Sequence, residues 1–265
     1  MDSLDARADV DEPDEADDGR SRMSFLEHLE ELRKRIVYSL YSLLAGCAIS
    51  FWFVERINLY MLKYFSSLIA GGAGGGKLVF NEITEAFMFK LKMAVLVGLL
   101  IAIPLILAQV WLFVAPGLYT REKKVVLPFV ACASVLFLAG AWFGHVVAFP
   151  SMMKFFASQS NEYLAMFITI KGTFSFYIKM ILGLGLVFQM PILVFFLARF
   201  GIVTARFLWD KGKFAILIIF VIAAVITPSP DPVNQCIMAA PMIVLYGISI
   251  CVAWLFGKRR KAGSI

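Results

Sequence analysis

Six apolar stretches separated by polar or basic segments organise this chain, at about residues 36–54, 93–115, 125–149, 173–198, 214–227 and 233–256. A bilayer core of about 30 Å requires about 20 apolar residues per helix, and the first four and the last stretch meet that length. None shows the apolar–polar alternation of a membrane-spanning strand. The pattern predicts an all-α membrane protein with six transmembrane helices. Pro104 predicts a kink in span 2, and Pro191 lies inside span 4. Span 5 is short: its 14 residues end at Pro228-Ser229-Pro230-Asp231-Pro232, and at 1.5 Å each they reach only about 21 Å. Span 6 opens with Asn234 and Gln235, which shortens its apolar part. Two short spans or a re-entrant hairpin both fit this pair; the charge distribution below favours two spans.

Ahead of span 1, Ser24 and Glu27 have capping-box spacing, and Leu26, Leu29, Leu32 and Ile36 recur at helical intervals. Glu27, Glu30, Glu31, Arg33, Lys34 and Arg35 lie between them. This predicts an amphipathic helix at the membrane surface that runs into span 1.

Composition agrees: 60% of the 265 residues are hydrophobic and 17% charged, against about 25% charged in soluble domains. The net charge of +6 hides a tail, residues 1–22, with nine acids and only Arg7, Arg20 and Arg22 as bases. Such a segment cannot bury enough apolar surface to fold, so we read it as disordered; lacking an apolar core, it is no signal peptide. The domain then covers residues 23–257, and 258–265 form a basic tail. The glycine-rich run 71–76 reads as a flexible tip. With the N-terminus inside, the inner segments hold 17 of the 25 Lys and Arg and the outer ones hold 8. This places both termini in the cytoplasm. Trp52, Trp111 and Trp254, near span ends, fit an interfacial belt.

The chemical inventory is thin. Cys47, Cys132, Cys236 and Cys251 all fall in apolar runs and read as small buried thiols. His28 and His145 are too few for a histidine metal site. Residues 71–77 match G-x-x-x-x-G-K in form, but Leu78 stands where the Mg²⁺-binding hydroxyl belongs and no strand precedes. No nucleophile–base pair stands out, which argues against an enzyme. We expect no cofactor, no metal and no nucleic-acid partner. Glu31 and Glu122 are acids set among cations near the inner surface. Spacing alone favours local neutralisation, Glu31 by Arg35 and Glu122 by Arg121, Lys123 or Lys124. Gln189, near the middle of span 4, needs a hydrogen-bond partner and reads first as interhelical glue. An ion-coupled six-span solute transporter is the competing reading; it would require ionisable groups near mid-membrane.

Four segments resemble one family. Phe25-Leu26-Glu27-His28-Leu29-Glu30-Glu31-Leu32-Arg33-Lys34-Arg35 is similar to the N-terminal motif of TatC, the core subunit of the twin-arginine protein translocase. Phe113-Val114-Ala115-Pro116-Gly117-Leu118-Tyr119 with Arg121-Glu122, Phe188-Gln189-Met190-Pro191, and Thr227 through Gln235 resemble three more of its motifs. The resemblance covers about residues 23–257. It implies a cupped, glove-like set of six helices with short helices 5 and 6, in the bacterial cytoplasmic membrane. It further implies binding of Arg-Arg signal peptides of folded cargo and an oligomeric complex with TatA/TatB-type single-span subunits, driven by the proton-motive force. On this resemblance Glu31 and Glu122 receive the arginines. Arg33 organises the surface helix, Phe113 and Tyr119 shape an apolar rim, and Thr227 and Gln235 meet the partner subunits. The family often carries Glu where this chain has Gln189.

Overall fold

A computed structural model describes residues 25–70, 78–114, 123–159, 168–227 and 231–257. The acidic tail, Ser24, the glycine-rich tip, Tyr119, Glu122 and the basic C-terminal segment lie outside the described residues. Ten α-helices are described: α1 (Phe25–Trp52), α2 (Val54–Ala70), α3 (Glu85–Val114), α4 (Lys123–Phe143), α5 (Phe149–Ser158), α6 (Ile170–Val187), α7 (Met190–Arg199), α8 (Ala205–Asp210), α9 (Gly212–Ile226) and α10 (Pro232–Phe256). A π-helical turn, Gly144–Ala148, joins α4 to α5.

Five helical runs are long and apolar enough to cross a membrane: Leu26–Trp52, Glu85–Phe113, Leu127–Ser158, Ile170–Arg199 and Pro232–Phe256. The shorter apolar α9 supplies the sixth crossing, so the six-span architecture stands. Six crossings return the end of α10 to the side from which α1 sets out. The surface helix and span 1 are one uninterrupted helix, α1. Span 4 is two helices, α6 and α7, parted at Phe188–Gln189. Two elements were not anticipated. The amphipathic α2 buries Met61, Phe65 and Ile69. Strands β1 (Leu78–Val79) and β2 (Ile168–Thr169) pair in parallel, Leu78 with Ile168 and Val79 with Thr169.

The main core gathers α2, α3, α5, α6, α9 and α10 around Phe65, Phe149, Met152, Met180, Leu184 and Met238. A smaller cluster of Trp111, Ala133, Ile192 and Phe196 locks α3, α4 and α7 together. Trp111 is therefore a core anchor and not part of an interfacial belt: it is 8% exposed and stacks on Phe196 at 4.4 Å. Trp52 and Trp254 are exposed, as a belt requires. The cysteine expectation fails in part, since Cys132, Cys236 and Cys251 are exposed and only Cys47 is half-buried. Their apolar runs face the surroundings that lipid would fill, so an apolar position there is not an inner one.

α1 reaches the rest mainly through α3, and glycine makes the approach possible. A Cβ on Gly98 would stand 2.6 Å from Cys47 Cα, and one on Gly46 would collide with the Gly98 carbonyl. The helices can touch backbone to backbone only because both side chains are absent.

Candidate functional site

The first two turns of α1 lie beside the last two turns of α3. His28 stacks on Phe113, ring centroids 4.5 Å apart at 15°. One turn further along α1, Glu31 Oε1 accepts from an Arg35 Nη at 3.0 Å. The other Nη of Arg35 donates to Gln109 Oε1 on α3 at 3.1 Å. The local pairing read from spacing is thus present, and it extends into a three-residue bridge that ties α1 to α3. Glu31 and Arg35 are largely covered, their side chains 18% and 25% exposed. Glu31 Oε2 is covered and, among the described residues, has no hydrogen-bond partner. A carboxylate oxygen left in this way costs free energy until a donor arrives.

Of the predicted signal-binding residues, Glu31 and Phe113 are brought to one corner, whereas Arg33 points to an exposed face of α1. Glu122 and Tyr119 fall outside the described residues, between the end of α3 at Val114 and the start of α4 at Lys123. His28 and Gln109 were missed. A residue one turn before Glu31, and a polar residue at the end of an apolar span, were the available signals.

Gln189 sits in the joint between α6 and α7. Its Nε2 donates to the Ala133 carbonyl of α4 at 3.0 Å, so it does act as interhelical glue; its Oε1 is buried without a partner among the described residues. The residue also borders an apolar groove of about 730 Å³, walled by Ile103, Leu107 and Val110 of α3 and by Leu193 and Leu197 of α7. Thr227 and Gln235 are engaged within the fold: the Thr227 hydroxyl donates to the Ala223 carbonyl, and Gln235 Nε2 donates to the Phe220 carbonyl at 2.9 Å. Gln235 thereby joins α10 to α9.

A third polar constellation surrounds the π turn. The carbonyl of His145 faces two difficulties. Phe149 N–H bonds to Gly144 instead, and the next residue, Pro150, has no N–H to give. The Tyr64 hydroxyl from α2 donates to this carbonyl. Burial, then the neighbouring Tyr60, holds the Tyr64 phenol well above its usual pKa, so it remains a donor. The Tyr177 hydroxyl meets His145 Nδ1 at 3.0 Å. Among the described residues no cluster of His, Cys, Asp and Glu could hold a metal ion.

Long apolar crossings, few ionisable groups within them and a covered polar corner at one end define a multispanning helical membrane protein. A family model, Sec-independent protein translocase protein (TatC), matches residues 27–241. The TatC protein of Koribacter versatilis is 47% identical over 245 residues, covering 91% of this chain and 90% of that protein. That of Desulforapulum autotrophicum is 40% identical, covering 90% and 87%. A crystal structure of the twin-arginine translocase receptor TatC, in the detergent DDM, superposes with a TM-score of 0.74. It is 32% identical and covers 86% of this chain and 99% of that one. The chain belongs to the TatC family, and it is a non-enzymatic component of the Sec-independent protein translocase. The solute-transporter reading is set aside.

Proposed function

We propose that this chain is the receptor and core subunit that recognises twin-arginine signal peptides at the cytoplasmic face. Glu31 and Glu122 take the two guanidinium groups. Arginine presents a planar fork of donors that matches a carboxylate, whereas lysine brings charge without the fork. The observation that carries the reading is the state of Glu31: one oxygen is held by Arg35, and Oε2 is covered and without a partner among the described residues. Phe113 and Tyr119 line the apolar rim, and Arg33 organises the exposed side of the helix. The end of the bundle that carries Glu31 faces the cytoplasm, together with both termini, as the 17-to-8 distribution of Lys and Arg favours. Thr227 and Gln235 mark the surface where TatA/TatB-type single-span subunits dock in an oligomeric complex. Folded cargo crosses on the proton-motive force.

The test presents the protein in detergent with photo-crosslinking signal peptides carrying Arg-Arg or Lys-Lys. Glu31→Gln alone is expected to weaken Arg-Arg crosslinking about tenfold, the scale of one hydrogen bond to a charged group. Glu31→Gln with Glu122→Gln is expected to abolish the preference for Arg-Arg. A preference that survives the double change removes these residues from the receptor.

A further inference from the structure

The end of the bundle opposite Glu31 holds a second polar pocket, of about 220 Å³, between the first turns of α3 and α6. Glu82, Glu85, Lys92 and Lys171 supply its charges; Phe89 and Phe174 supply apolar wall. The two phenyl rings meet edge to face at 4.9 Å and are themselves buried. Two of the charges satisfy each other, with Lys171 Nζ 3.0 Å from Glu82 Oε1. Lys171 also lies near enough to feel the charge of Glu85, without a hydrogen bond to it. Glu85 is only 5% exposed. Its Oε2 accepts from the Asn81 backbone N–H at 3.3 Å, and its Oε1 is covered, with no hydrogen-bond partner among the described residues. Lys92 lies two turns along the same face of α3, exposed, and among the described residues it has no ion pair.

An unpartnered, covered carboxylate oxygen asks for an N–H donor, best a charged one. An ammonium two turns deeper along the helix asks for an anion. A single ligand answers both only if it carries an ammonium and an anion close together. The pocket sits at the first turns of two membrane-crossing runs, Glu85–Phe113 and Ile170–Arg199. Met88, in its wall, and Leu91 leave apolar surface exposed on the same stretch of α3, and Val95, past Lys92, continues it.

We propose that this pocket binds the headgroup of a phosphoethanolamine lipid from the leaflet opposite the Glu31 face. The ammonium donates to Glu85 Oε1, and the phosphate is held by Lys92. The selectivity is chemical: a choline headgroup has the same charge but no N–H, so it cannot satisfy Oε1. Water alone could fill the space, but water confers no preference among headgroups. This site is independent of the signal-peptide reading, because it is assayed with no peptide present.

Native mass spectrometry of the delipidated full chain tests it, with equimolar phosphatidylethanolamine and phosphatidylcholine of identical acyl chains. Phosphatidylethanolamine is expected to be retained about fivefold or more over phosphatidylcholine, the scale of one charge-assisted hydrogen bond. Glu85→Leu, which removes the acceptor, is expected to bring that ratio close to one, and Lys92→Ala to lower retention of both lipids. Thermal melting identifies a variant that fails to fold, and Glu85→Asp, which keeps the charge but shortens the reach, then replaces it. Equal retention of the two lipids by the unaltered chain, or a preference that persists in Glu85→Leu, overturns the proposal. Displacement of the lipid by soluble phosphoethanolamine at equal concentration would overturn the lipid as the ligand.

Discussion

Pro150 removes the N–H that the carbonyl of His145 would otherwise receive, and Tyr64 supplies the replacement from another helix. In surroundings poor in water a bare carbonyl is expensive. Tyr64→Phe is therefore expected to cost about 1–3 kcal/mol of stability. Thermal unfolding in one fixed detergent would measure it, with Tyr177→Phe, which removes only the His145 ring contact, as the milder comparison. Unchanged melting of Tyr64→Phe would show that the π turn finds its own partner. At this scale the sequence was legible where chemistry is local. The Glu31–Arg35 pair follows from a spacing of four, and a mid-span amide is costly enough unbonded that the Gln189 Nε2 was expected to reach a neighbouring helix, as it does. It was illegible where a distant helix decides. Nothing near Trp111 in the chain announces that Phe196 will stack on it, so a span-end position suggested an interface instead of a core. Gln109 is a similar case, since its partner Arg35 lies on another helix.

The helices themselves could be read because apolar length is a strong signal: all six spans appear, the last three near their expected bounds, while the first two begin well before residues 36 and 93 and the third runs on past 149. α2 was readable in principle: Met61, Phe65 and Ile69 recur every four residues and are all buried. The interspersed Arg56 and Lys63 hid that periodicity. The β1–β2 pair was not readable, since two residues on each side give no pattern and the partners are far apart in sequence. The α1–α3 contact is the most demanding of the helix pairings. Gly98→Ala would force a methyl into the Cys47 backbone, and the strain should cost about 1–3 kcal/mol, the range for overpacking. The measurable outcome is a lower melting temperature and, because Glu31 is held by the same pair of helices, weaker Arg-Arg peptide crosslinking. Gly247, with nothing within 4 Å of an added Cβ, provides the control: Gly247→Ala should leave both unchanged.

At the scale of the whole molecule, α9 has 15 residues, and at 1.5 Å each it reaches about 22 Å against a hydrocarbon core of about 30 Å. A shortfall of this kind thins the adjacent bilayer or draws in flanking polar groups. Reconstitution in a series of lipids of increasing chain length should lower thermal stability steadily. Insertion of four leucines in α9 should flatten that dependence; a flat response in the unaltered chain would mean that neighbouring helices shield α9. The Leu78–Ile168 and Val79–Thr169 ladder lies at the entrance to α3 and α6. In a chain otherwise free of cysteine, Leu78→Cys with Ile168→Cys should form a bond on oxidation without loss of transport. Stitched backbone to backbone at that rim, α3 and α6 behave there as one plank, and any splaying between them has to begin at their far ends.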